Sequence, residues 1–210
     1  MEKFSIIIPT MWKSELIYQM LLKYNASEFV AEIIIISNSQ IDADLLKVST
    51  LNLSKVIFYS TGRNNYVNAA WNVGSMLAKY TVVLANDDII IHNIDLLFLG
   101  ISLYKEYDLI GATVNNLANF KGIISWDKEK GFPRKSFGCF MVCRNYYKIP
   151  EVMKILCGDN WLFDHAKLVG IIGAGYIQTP ISVTIKSDPE FLKIGLRDKD
   201  IYRGLFNIVS

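Results

Sequence analysis

The stretch Val82 to Ile91, VVLANDDIII, sets two adjacent carboxylates, Asp87 and Asp88, inside a run of residues that otherwise favour burial. Acids emerging at the end of a buried strand suit one kind of chemistry. Oxygen ligands on a rigid edge can reach a single hard divalent cation, which sites of this kind usually share with phosphate oxygens. Alternation along a strand would aim Asn86 and Asp88 to one side and Asp87 to the other. The competing reading is a turn or helix cap, where Asn and Asp are equally at home.

The elements around this triplet decide where it sits. Phe4 to Ile8, Glu32 to Ile36, Val56 to Tyr59 and Thr81 to Ala85 are short, continuous, β-branched runs that predict buried strands. Between them, Ser14 to Tyr24 and Asn68 to Lys79 carry apolar residues at helical spacing, with Ser14 as a cap, and Asp42 to Val48 suggests a short helix. Buried strands alternating with helices predict an α/β fold with a mostly parallel sheet covered on both faces. Ligands bind beyond the carboxyl ends of strands in such sheets. Those ends read PTMWKS, SNSQID, STGRNN and NDD, all polar, so the chemistry is expected to converge there. The second half is less regular. Leu96 to Tyr104, Val152 to Leu156 and Asn160 to Val169 read as helical. Leu109 to Val114, Phe137 to Cys143 and Thr179 to Ile185 read as strands, and the loop-rich Val114 to Ser136 leaves room for a hairpin.

Composition narrows the class. At 210 residues and 51% hydrophobic, the chain can build a sizeable core. A net charge of +2 argues against nucleic acid as the main partner. Cys139, Cys143 and Cys157 lack zinc-site spacing, and with His92 and His165 as the only histidines they read as reduced thiols. The apolar run of the N-terminus ends at Pro9, unlike a signal peptide, and no stretch reaches the ~18–20 apolar residues of a membrane span. A soluble, cytoplasmic protein is expected.

The segments IIIPT and IIIISNS, with the block NNYVNAAWNVGSMLAKYTVVLANDDI, together resemble a GT-A fold glycosyltransferase of the large family-2 type. In that family A-x-N-x-G-x3-A, then a strand, then D-x-D form the recurring core. Here the match is Ala70-Trp71-Asn72, Gly74 and Ala78, followed by Asn86-Asp87-Asp88. The match is close over residues 1–95 and loose over 96–210. It implies one GT-A-like domain across 1–210, with a nucleotide-sugar-binding half up to about residue 95 and an acceptor half beyond. Such compact domains occur in bacteria and in large DNA viruses, where the location would be the host cytoplasm. The chain is short for the family, so a further domain in a longer protein is also an expectation.

The resemblance implies roles by position. Pro9 and Thr10 would line the base and ribose pocket, and Asn38 stands where an acid commonly contacts the uracil or ribose. Arg63 and Asn68 would lie near the loop facing the nucleotide. Asp88 matches the metal-binding acid, for Mn2+ or Mg2+. Asn86 replaces the first acid and can hydrogen-bond a ribose hydroxyl, and Asp87 would help locally. Asp159, in Gly158-Asp159-Asn160-Trp161, matches the base on the acceptor hydroxyl. The alternatives are a helix cap, for which Asp is also ideal, or Asp164 as base one turn further on. The implied activity is metal-dependent transfer of a sugar from a nucleoside-diphosphate donor, UDP-linked, to a glycan hydroxyl, with inversion. A nucleotidyltransferase is the second enzymatic reading, opposed by the lack of glycine in PTMWKSE. An inert glycan- or partner-binding module is the third, suggested by Asn38 and Asn86.

Other features read either way. Gly138 in Ser136 to Arg144 would admit substrate close to backbone, or belong to a plain core strand. Trp126 could stack on an acceptor sugar or be structural. His92 reads as a turn residue; His165 as a metal or phosphate contact is the weaker alternative. Asp188 or Lys186 would stand in for a further metal ligand after the last strand. Gly173-Ala174-Gly175 fails the dinucleotide fingerprint, since Gln178 holds the third glycine position, and reads as a loop entering the last strand.

Overall fold

The computed structural model describes residues 1–39, 47–60, 62–112, 122–133, 137–173, 176–179 and 189–205. An eight-stranded sheet runs through the molecule in the order β3-β2-β1-β4-β8-β6-β9-β7. Its strands are β1 (Phe4–Thr10), β2 (Val30–Ser37), β3 (Val56–Ser60), β4 (Thr81–Ala85), β6 (Leu109–Ala112), β7 (Ile123–Trp126), β8 (Phe140–Cys143) and β9 (Val169–Ile172). The first four pair in parallel. β8 reverses direction against both β4 and β6, while β6 and β9 pair in parallel and β7 closes the edge antiparallel to β9. A two-stranded ribbon of β5 (Ile90–Ile91) and β10 (Ile177–Gln178) stands apart.

Continuous apolar runs form the central strands because both faces of the sheet are covered. Ile6, Ile8, Ile33 and Ile35 enter one core, with Ile17, Met20, Leu21 and Tyr24 of α1 (Leu16–Ala26) and with α3 (Ile94–Ser102). Ile7, Ile34 and Ile36 enter the other, with α2 (Tyr66–Leu77) and α4 (Gly158–His165). Gly74 lets α2 lie directly on β1, since a Cβ there would overlap the Ile7 side chain. Asn72 of the same motif is also structural: its amide donates to Ile149 O (2.8 Å), and its oxygen accepts from Ile149 N and Tyr146 Oη (both 2.9 Å). The last helix, α5 (Pro189–Leu205), follows with proline at its first position.

The first-half elements match expectation within about two residues at their ends. Ser14 acts one position out from the cap, its hydroxyl accepting from Leu16 N at 3.3 Å, and residues 47–50 are helical. The second half needs corrections. Val152 to Leu156 is not helical; the amides of Lys154, Ile155 and Leu156 are taken up by a side chain of α5 rather than by a helix ladder. The helix expected over Asn160 to Val169 starts at Gly158 and stops at His165, and Val169–Ile172 forms β9, a strand the sequence did not announce. Phe137–Cys139 is a 3-10 turn before β8 rather than strand. Residues 40–46, 113–121, 134–136, 174–175 and 180–188 lie outside the described residues, and with them most of the expected Asp42 helix, part of the loop-rich segment, the Thr179 to Ile185 strand, Lys186 and Asp188. Among the described residues, no helix is long and apolar enough to cross a membrane.

Candidate functional site

β1 is flanked by β2 on one side and β4 on the other, so the strand order reverses there and a crevice opens at the carboxyl ends of β1 and β4. Thr10 ends β1, and its hydroxyl donates to Asp87 Oδ2 at 2.6 Å across that crevice. The Thr10 hydroxyl oxygen also accepts from Trp12 N (2.8 Å), and the Trp12 indole donates to Ser37 Oγ (2.9 Å) at the end of β2. Trp12 holds a left-handed backbone (φ 61°), rare for a bulky residue, and its ring stacks on Tyr18 and Phe58. Nothing in its residue type marked it in the sequence; its place just past a buried strand was the available signal.

The triplet itself leaves the sheet. β4 stops at Ala85, and Asp87 and Asp88 occupy a turn, so strand alternation does not decide their directions. Asn86 N donates to Cys139 O (2.9 Å), which ties the turn to the segment before β8. Asp87 faces Thr10. Burial pushes its carboxyl up to about 6; the Thr10 hydrogen bond opposes that, and the Asp88 charge adds to it. Asp88 is half-buried, its carboxyl is pushed up by burial, and its Oδ1 is fully buried with no hydrogen-bond partner among the described residues. A buried carboxylate oxygen without a donor is costly unless a cation or proton meets it.

The second carboxylate centre comes from α4. Asp159 lies in its first turn, with Oδ1 accepting from Asn160 N at 2.9 Å, and burial pushes its carboxyl up. It rests on Gly138, where a Cβ would sit 2.7 Å from Asp159 Oδ2, so glycine is needed for this approach. The thiol of Cys139 lies within electrostatic reach of both acids: burial first, then the charges of Asp88 and Asp159, push it up to about 12. Asp88 and Asp159 are thus both near one buried sulfur, in the turn just before β8.

The remaining candidates are placed as follows. Pro9 is half-buried in β1. Asn38 is buried; its N donates to Thr10 O (2.8 Å), and its Oδ1 accepts from Asn65 N (3.1 Å), which joins the end of β2 to the start of α2. Arg63 is exposed on the bend before α2. Asn68 turns toward the segment that leads into α4: its N donates to Lys154 O (3.1 Å) and its Nδ2 to Leu156 O (3.1 Å), and its Oδ1 packs where a Cβ of Gly158 would be. Asp164 accepts from the Tyr202 hydroxyl of α5 rather than facing the crevice acids. His92 is exposed, and His165 Nδ1 meets Trp161 O at 2.8 Å with its ring against Trp161 and Tyr147. Trp126 is held in β7 by an indole bond to Gly131 O (2.9 Å). Cys139, Cys143 and Cys157 are free thiols.

Sequence reasoning missed Asp198. This fully buried carboxylate of α5 accepts from the N–H groups of Lys154 (3.0 Å), Ile155 (2.6 Å) and Leu156 (2.9 Å), the segment that leads into Asp159. Its signal was weak: an acid among charged neighbours in a helix that buries little else.

Among the described residues, no group of three or more His, Cys, Asp or Glu side chains is arranged to hold an ion. Asp88, with Asp87 beside it, fits instead the sparse donor set of Mg2+ or Mn2+ sites, which take one or two carboxylates and complete their shell from substrate phosphates.

No protein-family model matches the chain, and no curated protein matches it in sequence. Solved structures do. A structure of TarS residues 1–349 from S. aureus is 16% identical with a TM-score of 0.65, over 83% of this chain and 59% of that one, so the chain spans less than two thirds of its length. GalNAc-T7, crystallised with UDP, GalNAc and Mn2+, is 13% identical with a TM-score of 0.63, over 95% of this chain and 48% of that one. HddC from Yersinia pseudotuberculosis is 14% identical with a TM-score of 0.58, over 95% and 100% of the two chains. At these identities the likeness is one of fold, and the fold of this chain is that of the GT-A type, an α/β mostly parallel sheet flanked by helices.

Proposed function

We propose that the chain is a glycosyltransferase that moves a sugar from a nucleoside-diphosphate donor, UDP-linked, to a hydroxyl of a glycan acceptor, with inversion. The observation that carries this reading is the pairing of Thr10 with Asp87 across the β1–β4 crevice, next to a buried oxygen of Asp88 that has no hydrogen-bond partner among the described residues. Asp88 would hold Mn2+ or Mg2+, which when bound would stabilise charge on the departing diphosphate. Pro9, Thr10, Asn38, Arg63, Asn68 and Asn86 remain candidates for the nucleotide or its surrounding loops. Asp159 would take the acceptor hydroxyl proton as its oxygen bonds to the anomeric carbon, while the sugar–phosphate bond breaks and its electron pair leaves on the diphosphate. A carboxyl raised by burial suits that task. The presence of UDP, GalNAc and Mn2+ in the GalNAc-T7 structure supports the donor class.

The inert-module reading draws on Asn38, whose side-chain oxygen is already occupied by the Asn65 amide. Calorimetry of UDP with and without Mn2+ tests the transferase reading: metal-dependent binding is expected, and its absence would sink it. Hydrolysis of UDP-sugars by the native chain and not by Asp88→Ala excludes the inert module.

A further inference from the structure

A cavity of about 590 Å³ opens beside the start of α4, lined by Lys130, Cys157, Asn160, Lys199, Tyr202 and Arg203 among others. Its volume falls within the range of ligand-binding clefts. Thr10, Asp87 and Asp88 do not line it, so it is separate from the crevice at the strand ends. Three cations face it, with no acid among its described lining residues. Lys199 and Arg203 stand four apart on one face of α5, an arrangement of like charges that weakens a helix on its own.

Neither Lys130 nor Lys199 joins an ion pair among the described residues, and the Arg203–Asp200 contact at 3.8 Å is an exposed, weak one. Nearby acids are already engaged: Asp164 by the Tyr202 hydroxyl, and Asp198 by three backbone amides. Both walls are fixed. Asp198 anchors α5, and Lys128 Nζ clasps Asp164 O (3.0 Å) and Ala166 O (2.6 Å), which sets the turn carrying Lys130 onto α4.

Cys157 joins this cavity to the candidate base. It caps α4 in a left-handed conformation (φ 60°, ψ 8°), a strained backbone for a non-glycine residue. Its thiol is pushed up to about 11, first by burial and then by Asp159 and Asp198, while Lys199 and Arg203 pull it down. Lys199, Arg203 and Asp159 thus lie within electrostatic reach of one side chain, and Asn160, next to Asp159, lines the cavity.

We propose that this cavity holds an anionic group of the acceptor, a phosphate or a carboxylate, so that the acceptor hydroxyl is presented to Asp159 and neutral sugars are disfavoured. The proposal rests on the transferase reading for its use of Asp159, but its binding test does not. Inorganic phosphate, glycerol phosphate, glucuronate and methyl glucoside are titrated calorimetrically into the native chain, into Lys199→Ala/Arg203→Ala, and into Lys130→Ala on the opposite wall. Anionic probes are expected to bind and methyl glucoside not to. The double variant should bind roughly tenfold more weakly or worse, and Lys199→Arg should retain binding. Tighter binding of glycerol phosphate than of glucuronate assigns a phosphorylated acceptor; the reverse assigns an acidic sugar. Equal anion affinity in native chain and variants overturns the proposal, as does equal binding of methyl glucoside. Displacement of phosphate by UDP with Mn2+ also overturns it, because the cavity would then serve the donor diphosphate. Failure of UDP with Mn2+ to bind the native chain is a separate result, which removes the transferase reading and leaves the anion site standing.

Discussion

At the residue scale, Asp159 carries a pH signature. Its carboxyl is held up by burial, so it takes on a proton at a higher pH than an ordinary carboxylate. As a base it must be ionised. Transfer should therefore fall as pH drops through a value above the usual carboxylate range, while UDP binding keeps a different profile. Asp159→Asn should keep donor binding and lower transfer by a factor of about 10² or more; transfer that stays at the native rate takes Asp159 out of that role. Gly138→Ala probes the same contact from the other side. The new methyl would sit 2.7 Å from Asp159 Oδ2 and 3.1 Å from its Cβ and Cγ, so the carboxylate must leave its present place, where it accepts from Asn160 N. Loss of transfer with UDP binding retained is expected, read by paired calorimetry and product assay. How much of this site was legible depended on local chemistry. Two acids after a buried run stood out, and so did an acid at a helix start. The pairing of Thr10 with Asp87, residues 77 apart in sequence, could not be read from either segment alone.

At the element scale, α5 acts as a clamp on the segment that presents Asp159. Asp198 supplies two oxygens to three amides, and asparagine can offer only one oxygen while turning an N–H toward a donor. Asp198→Asn should cost about 2–3 kcal/mol in urea denaturation and slow transfer more than it weakens UDP binding; stability within error of the native chain would dismiss the clamp. This helix also marks where sequence reading stopped. Charged residues interleave its apolar ones, and Asp198 sits in the middle of its half-buried stripe of Phe191, Ile194, Ile201 and Tyr202, so the stripe was masked, although Pro189 and Glu190 are helix-start signals. The first four strands were legible because each is a buried, β-branched run between turn residues. β9 was not, since Val169 to Ile172 is only four residues long and merges with the glycines that follow. Val152 to Leu156 has helical spacing, yet Asp198 takes its amides, a tertiary contact that overrides local preference.

At the scale of the whole molecule, the seam between the parallel half of the sheet and the mixed half is the β4–β8 pair. At its carboxyl end, on the β4 side, it carries the candidate site; at the opposite end a charge network closes it. Arg144 follows β8 and grips Glu2 with two bonds, Nε to Oε1 at 3.1 Å and Nη2 to Oε2 at 3.0 Å. It also donates to the carbonyls of Tyr107 and Ile101 (both 3.0 Å), and Thr81 Oγ1 donates to Glu2 Oε1 at 3.0 Å. Side-chain exposures of 14% and 13% place this pair well below the surface class, where ion pairs contribute little. Arg144→Met strands the largely buried Glu2 charge and leaves two carbonyls without their donor, and Glu2→Gln strands the Arg144 charge, so each should cost about 2–4 kcal/mol. A double-mutant cycle in urea should give a coupling of about 1 kcal/mol or more between them. The site lies at the other end of the strands, so the loss should fall on stability and leave UDP binding in Mn2+ at its native affinity. Single substitutions that shift stability by less than about 0.5 kcal/mol, or that weaken UDP binding as much as they weaken the fold, would show that the two ends of the seam are not separated in this way.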